Sequence, residues 1–358
     1  MSHNSELILA AIDFSKLFGT PIRAMINVQA AVFALAAVGL NLHYGFTGLL
    51  NVGMVAFMAA GAYGMAIIVT QGVLGGSVLF AILIGLIFAA FIALVIGVPA
   101  LRLRGDYLAI VTIAIAEVMR VSFRSTKWLE WTGGPFGLPR AEERSAGISL
   151  GDRIGEDWNP LFAADDPTRT WGFWQLEFNM RDLWFMIVGW LLVILCSVMV
   201  WRLVQSPWGR VIKAIREDED AARALGKNVF NYKLQSLVIG GVIGALAGLL
   251  RAFSSGFVQS DQFKPQTTFF IWTALILGGA ASKWGPVIGA ALFWGVLLFV
   301  EELVRQLVDN GWIPEWLISP TDVSQVKLIM MGVMLAGLMI WRPQGILGKK
   351  EEALLDVR

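Results

Sequence analysis

Of 358 residues, 56% are hydrophobic and only 15% charged, a balance that excludes an ordinary soluble domain and points to a polytopic membrane protein. A formal net charge of +1 excludes a strong electrostatic pull on nucleic acid. With two histidines and one cysteine, Cys196, an intrachain disulfide, a His-based metal site and a Ser-His arrangement are excluded as well.

Residues 1–20 mix Glu6, Asp13 and Lys16 into moderately apolar sequence without the basic start of a signal peptide. Segment 1–23 is therefore expected to be a short interfacial element. Apolar windows of roughly 20 residues predict membrane spans at 24–43, 47–71, 77–100 and 105–123, which make a first transmembrane unit, 24–123. The window 47–71 is glycine-rich and carries Asn51 near its start. It reads either as a broken helix lining a cavity or as close packing of small residues. Residues 124–181 are polar, with more Asp and Glu than Lys and Arg, and Trp128, Trp131, Trp171, Trp174 and Trp184 surround them. A span is expected at 182–203, followed by a charged stretch, 204–230. The unit 231–341 then holds spans at 231–255 and 323–341, and 342–358 is a tail. Between those spans, the apolar region 267–300 is too long for one crossing, and Gly278-Gly279 and SKWGPVIG (282–289) interrupt it. Two short or broken helices meeting at a loop within the membrane are expected there. The fold class is all-α, a polytopic bundle of about 8–10 transmembrane helices, some broken or re-entrant, with a polar external segment.

Basic residues gather at Arg102 and Arg104, along Arg202, Arg210, Lys213, Arg216, Arg223, Lys227 and Lys233, and at Arg342, Lys349 and Lys350. The positive-inside rule makes these places cytoplasmic. Parity then puts 124–181 outside and requires 267–300 to cross twice. The side of the N-terminus turns on whether 47–71 crosses or turns back.

The charged stretch opens with Ser206-Pro207-Trp208-Gly209-Arg210. Pro207 suits a first helical position, and Val211, Ala214 and Ile215 form an apolar stripe opposite Arg210, Lys213 and Arg216. The acids Glu217 to Asp220 place a second short helix near Asp218. It runs through Ala221, Ala222 and Leu225 to Gly226, a natural C′ residue. A solvated helix on the lipid surface and a docking helix for a cytosolic partner both fit this pattern. Within the apolar sequence, Asn41, Asn51, Thr112 and Glu117, with Gly53 and Phe57, are candidates for the wall of a translocation pathway. Glu117 and Arg120, three apart, equally suit a local ion pair. Asp106, after the RLRG turn, suits a helix cap. No G-x-x-x-x-G-K-[ST] loop occurs, and GILGKK (345–350) has the wrong spacing, so no ATP chemistry is expected on this chain.

The run Asp220-Ala221-Ala222-x-x-x-Gly226 resembles the E-A-A-x-x-x-G motif of ATP-binding-cassette (ABC) importer permeases, with Asp where Glu is usual. The wider SPWGRVIKAIREDEDAARALGKN (206–228) is similar to the same loop in branched-chain amino acid permeases of the LivM type. GLNLHYGFTGLLNVGMVAFMAAGAY (39–63), LRGDYLAIVTIAIAEVMR with TGGPFGLP (103–139), LILGGAASKWGPVIGAAL (275–292) and WRPQGILG (341–348) resemble that family's other blocks, in the same order. Two departures stand out: Met54 replaces a His of many relatives, and roughly 140–181 matches no family block.

The resemblance implies a non-enzymatic, multi-pass subunit of a bacterial plasma membrane, half of a heterodimeric channel completed by a LivH-type permease. Two cytosolic ABC ATPase subunits would use ATP and Mg, and an extracytoplasmic amino-acid-binding protein would deliver leucine, isoleucine or valine. This chain itself would hold no cofactor or metal. Residues 206–228 would be the coupling helix, with Ser206, Pro207, Gly209, Arg210, Arg216, Asp220, Ala221, Ala222 and Gly226 as coupling residues. Asp220 would cap the helix or pair with an ATPase base, and Gly226 would end it. Urea or short-amide permeases are the alternative within this class. An ion-coupled secondary transporter using Glu117 or Asp106 is the rival from another.

Overall fold

The computed structural model describes residues 13–72, 78–103, 106–139, 170–172, 176–312, 329, 332–333, 336–337, 340–341 and 344–348. The expected span 323–341 is described only at isolated positions, and residues 1–12 and 140–169 of the expected terminal and external segments lie outside the described residues.

Helix α1 (Phe14–Ile26) starts where the Asp13 carboxylate accepts from the Lys16 amide at 3.2 Å, an N-cap. Asn27 breaks the chain in an extended conformation, and its side chain accepts from the Ala30 amide at 2.9 Å to start α2 (Val28–Leu40). That cap explains why the first long helix begins at residue 28, not 24. α2 is apolar and buried on all sides, as befits a helix surrounded by others. It runs directly into a π-helical segment, Asn41–Phe46. A non-helical stretch, 48–53, separates this from α3 (Met54–Thr70), so the window 47–71 is part turn and part helix.

Then follow α4 (Val78–Ala100), α5 (Asp106–Arg124), α6 (Met180–Gln205), α7 (Pro207–Glu217), α8 (Glu219–Ala224), α9 (Val229–Ser255), α10 (Pro265–Gly278) and α11 (Gly285–Asp309). A two-residue β pairing sets Thr170 opposite Asn179 and Trp171 opposite Phe178. Among the described residues, five helices are long and apolar enough to cross a membrane: Val28–Phe46, Val78–Ala100, Arg181–Gln205, Val229–Ser255 and Gly285–Asp309. α3, α5 and α10 pack beside them. The molecule is an all-α, multi-pass membrane protein.

α9 packs against α2, α3 and α4 at the centre. Small residues permit this approach: a β-carbon on Gly61 would lie 2.6 Å from the Ala245 carbonyl oxygen. α4 shows the same logic from outside. Ala81, Gly85, Ala89 and Ala93, spaced by four, are buried, while Leu83, Ile87, Phe91 and Leu94 are exposed. Small residues face the bundle and large apolar ones face outward, the reverse of a soluble helix.

The bundle has two distinct ends. At the basic end lie α7, α8, the π-helical segment and the loop 279–284, where Lys283 Nζ is 3.8 Å from the Trp201 ring centroid. At the far end, Gln71 donates to the Glu130 carbonyl at 2.6 Å and Leu138 pairs with Val258. The apolar region 267–300 is divided as expected: the loop 279–284 joins a short helix, α10, to a full-length one, α11, at the basic end. The tail stabilises that position, because the Ile346 and Leu347 amides donate to the Leu277 and Gly278 carbonyls at 2.9 and 3.0 Å. Those carbonyls are the unpaired acceptors at the end of α10.

Candidate functional site

Two assemblies meet at the basic end. One is the helix pair α7–α8. The Ser206 side chain caps α7, accepting from the Gly209 amide at 3.4 Å, and Pro207 occupies the first turn. Gly209, Ile212 and Ile215 are its buried positions. Ala214 is exposed, so the apolar stripe is rotated from the expected Val211, Ala214 and Ile215. α7 packs on α9 and the π-helical segment, and that docking selects the Ile212 face over the one that period alone suggested.

α8 starts at Asp218, whose carboxylate accepts from the Asp220 and Ala221 amides, both at 2.9 Å. The helix thus starts at Asp218 as expected, and of the two roles expected for Asp220, capping or pairing with an ATPase base, the cap belongs to Asp218, since the chain is extended at 218 and already helical at 220. Asp220 instead pairs with Arg223 at 3.1 Å, with its side chain 87% exposed. Glu219 accepts from Arg223 at 2.5 Å and from Lys233 on α9. Ala222 is buried with Ile215 and Val229. Gly226 ends the pair at a φ of 73°, the left-handed conformation that glycine adopts without strain. Facing away from the chain are Pro207, Arg210, Asp220, Ala221, Ala224, Gly226 and Leu225, the last 78% exposed.

The other assembly surrounds the interrupted helix. Arg216, expected on the outward face of α7, turns inward and donates to the Gly45 carbonyl. Lys213 Nζ lies 5.9 Å from the Phe46 ring centroid. Both cations thus sit at the carboxyl end of α2 and its π-helical extension, where the dipole is negative and the last carbonyls lack partners.

Inside, His43 Nε2 is 3.1 Å from the Leu237 carbonyl and Nδ1 is 3.1 Å from Asn51 Nδ2. A carbonyl can only accept, so Nε2 carries the proton and Nδ1 accepts from Asn51, which defines a neutral imidazole. The Asn51 side chain also accepts from the Gly53 amide at 2.8 Å, and its carbonyl accepts from Trp272 Nε1 at 3.1 Å. Thr112 Oγ1 accepts from the Val52 amide and donates to the Ala109 carbonyl, both at 3.0 Å. Asn41 Oδ1 accepts from the Ala281 amide at 2.8 Å, and its Nδ2 donates to the Ser282 carbonyl at 3.0 Å. Phe57 meets His43 edge-on at 6.2 Å between centroids.

Asn41, Asn51, Gly53, Phe57 and Thr112 therefore gather around residues 41–57: Asn51 and Thr112 hold the backbone of the break, and Asn41 ties the π-helical segment to the loop 279–284. Glu117 does not join them. It lies toward the far end, accepting from Arg120 Nε at 2.9 Å, while Arg120 also reaches Asp261 at 3.2 Å. His43 is the functional-site residue that sequence reasoning missed. Its position eight before Asn51, in a run where Gly45, Thr47 and Gly48 interrupt an apolar helix, was the available signal. Among the described residues, no three His, Cys, Asp or Glu side chains are grouped to hold a metal.

The model of the family described as branched-chain amino acid transport system / permease component matches residues 22–339. The chain is 31% identical over 325 residues to the high-affinity branched-chain amino acid transport system permease protein LivM of Salmonella typhimurium, covering 90% of this chain and 69% of that one. Against the Escherichia coli protein of the same name, identity is 31% over 319 residues, covering 88% and 68%. A more distant likeness, 24% over 291 residues, is to the autoinducer 2 import system permease protein LsrC of Yersinia pestis, covering 80% and 71%. No solved structure matches the chain. The ordered membrane blocks, the capped helix pair at the basic end and the match over most of its length place this chain in the family of branched-chain amino acid transport system permease components.

Proposed function

We propose that this chain is the LivM-type half of an ABC importer that carries leucine, isoleucine or valine across the cell membrane. A LivH-type permease completes the channel. Two cytosolic ATPase subunits supply the energy, and an extracytoplasmic binding protein delivers the substrate. The observation that carries this reading is the α7–α8 pair, capped by Ser206 and Asp218 and anchored inward through Ile212, Ile215 and Ala222. It presents Ala221, Ala224 and Leu225 outward. An exposed leucine beside small alanines gives a partner groove an apolar anchor and close access, and Arg210 and Asp220 flank it with charge. ATP binding and hydrolysis belong to the partners. They bias the channel between two states only through their differential affinity for those states. Asn41, Asn51, Gly53, Phe57 and Thr112 shape the wall of the pathway by holding the break in α2–α3.

Reconstitution tests the reading. Proteoliposomes holding this chain, its permease partner and the ATPases should take up radiolabelled leucine only with binding protein outside and ATP on the ATPase side. Excess isoleucine or valine should compete. Uptake by this chain alone, abolished by an ionophore and indifferent to ATP, would assign the ion-coupled class instead. Competition by autoinducer 2 but not by valine would move the substrate toward that of the LsrC relatives.

A further inference from the structure

We propose that Arg216 is the positioning residue through which movement of the α7–α8 pair reaches the break in the bundle. The inference rests on the reading that an ATPase docks on that pair. The π-helical segment Asn41–Phe46 is only six residues long, yet it touches three other parts of the fold. Asn41 holds the loop between α10 and α11, His43 holds α9 through the Leu237 carbonyl, and His43 with Asn51 holds the non-helical stretch 48–53. Such π-helical turns interrupt regular helices frequently at functional sites.

Arg216 approaches this junction from α7 in two ways. Its guanidinium donates to the Gly45 carbonyl. Its stem lies along the turn at Gly48, where φ is 73° and a β-carbon would come within 3.2 Å of Arg216 Cγ. One side chain therefore grips both sides of the point at which the π-helical segment gives way to the stretch 48–53. Other anchors of the pair go elsewhere. Ile215 and Ala222 pack with Val229, and Glu219 pairs with Lys233, so these seat the pair on the start of α9. Lys213 meets the edge of the junction at the Phe46 ring, through a cation–π contact and without a hydrogen bond to the break. A charge-assisted hydrogen bond to a helix-end carbonyl is directional, so a shift of α7 pulls on Gly45, and through Gly45 on the residues that hold Asn51.

Arg216→Met keeps the stem against Gly48 and removes the donor, while Arg216→Lys restores a charged donor without the fork. In the complete reconstituted complex, we expect Arg216→Met to retain its ATPases and hydrolyse ATP within about twofold of the unsubstituted protein, while leucine imported per ATP falls on the order of tenfold. Arg216→Lys should recover the ratio to within about threefold. A Met variant with an unchanged ratio, or one in which import and hydrolysis fall in proportion, would overturn the proposal. So would a Lys variant as impaired as the Met one. A Met variant that no longer retains the ATPases would overturn it too, by making Arg216 part of the docking surface. If the unsubstituted complex itself retains no ATPase, the underlying docking reading fails instead.

Discussion

Arg120 and Arg216 stand toward opposite ends of the bundle, each partly buried, and they are satisfied in different ways. Arg120 donates to Glu117, three residues earlier on its own helix, at 2.9 and 2.5 Å, and to Asp261 at 3.2 Å. Its charge is neutralised locally, as an i,i+3 pair does on any helix. Arg216 donates to a backbone carbonyl 171 positions away, at the end of a different helix. The first arrangement fastens a helix end to its neighbour. The second ties a surface helix pair to a place where a central helix is interrupted. Equal charge and similar burial therefore say little about role, and the identity of the acceptor decides it.

The largest effect that would probe this contrast is expected at the break itself. A β-carbon on Gly53 would lie 2.3 Å from the Thr112 carbonyl oxygen, a backbone atom that cannot move aside. Gly53→Ala should cost about 1–3 kcal/mol, seen as a lower melting temperature of the purified protein and loss of uptake. Gly226→Ala meets no atom within 4 Å, so only the left-handed backbone is strained, at about 1 kcal/mol. Asp218→Ala should cost about 1 kcal/mol through loss of the α8 cap. Asp220→Ala removes only an exposed pair and should leave the melting curve nearly unchanged. If Asp220 proves the costlier of the two, the cap has been assigned to the wrong acid. A small effect is expected at the far end as well. Glu117→Gln breaks a pair whose acid is 40% exposed, worth less than about 1 kcal/mol, so uptake should stay within about twofold. A large loss of uptake with an unchanged melting curve would return Glu117 to the pathway.

The helices themselves were legible because their signals are local. A run of apolar residues from 77 to 100 becomes Val78–Ala100, and Pro207, the acids before Ala221 and Gly226 mark α7 and α8 within a residue or two. The Glu117–Arg120 pair was legible for the same reason. What the sequence could not show depends on distant elements. The inward turn of Arg216 requires Gly45 to present a free carbonyl, and the choice of Ile212 over Ala214 requires α9 to lie beneath α7. His43 looked inert because it lacks metal-ligand or catalytic company in the sequence. Its partners, Leu237 and Asn51, supply one acceptor and one donor that matter only once the bundle is assembled.

On the reading proposed above, an ATPase docks at the basic end of this permease, on the α7–α8 pair. Cys196 is buried, so a cysteine introduced at an exposed position is the accessible thiol among the described residues. Leu225→Cys at the end of α8 and Trp131→Cys at the far end, both at exposed positions, can be treated in the assembled complex with a cross-linker that carries a maleimide for the thiol and a succinimidyl ester for a nearby lysine. Leu225→Cys should cross-link to an ATPase subunit, with a yield that changes when ATP is added, and Trp131→Cys should not. An intact complex in which Leu225→Cys fails to reach the ATPase, or in which Trp131→Cys reaches it, would contradict the account.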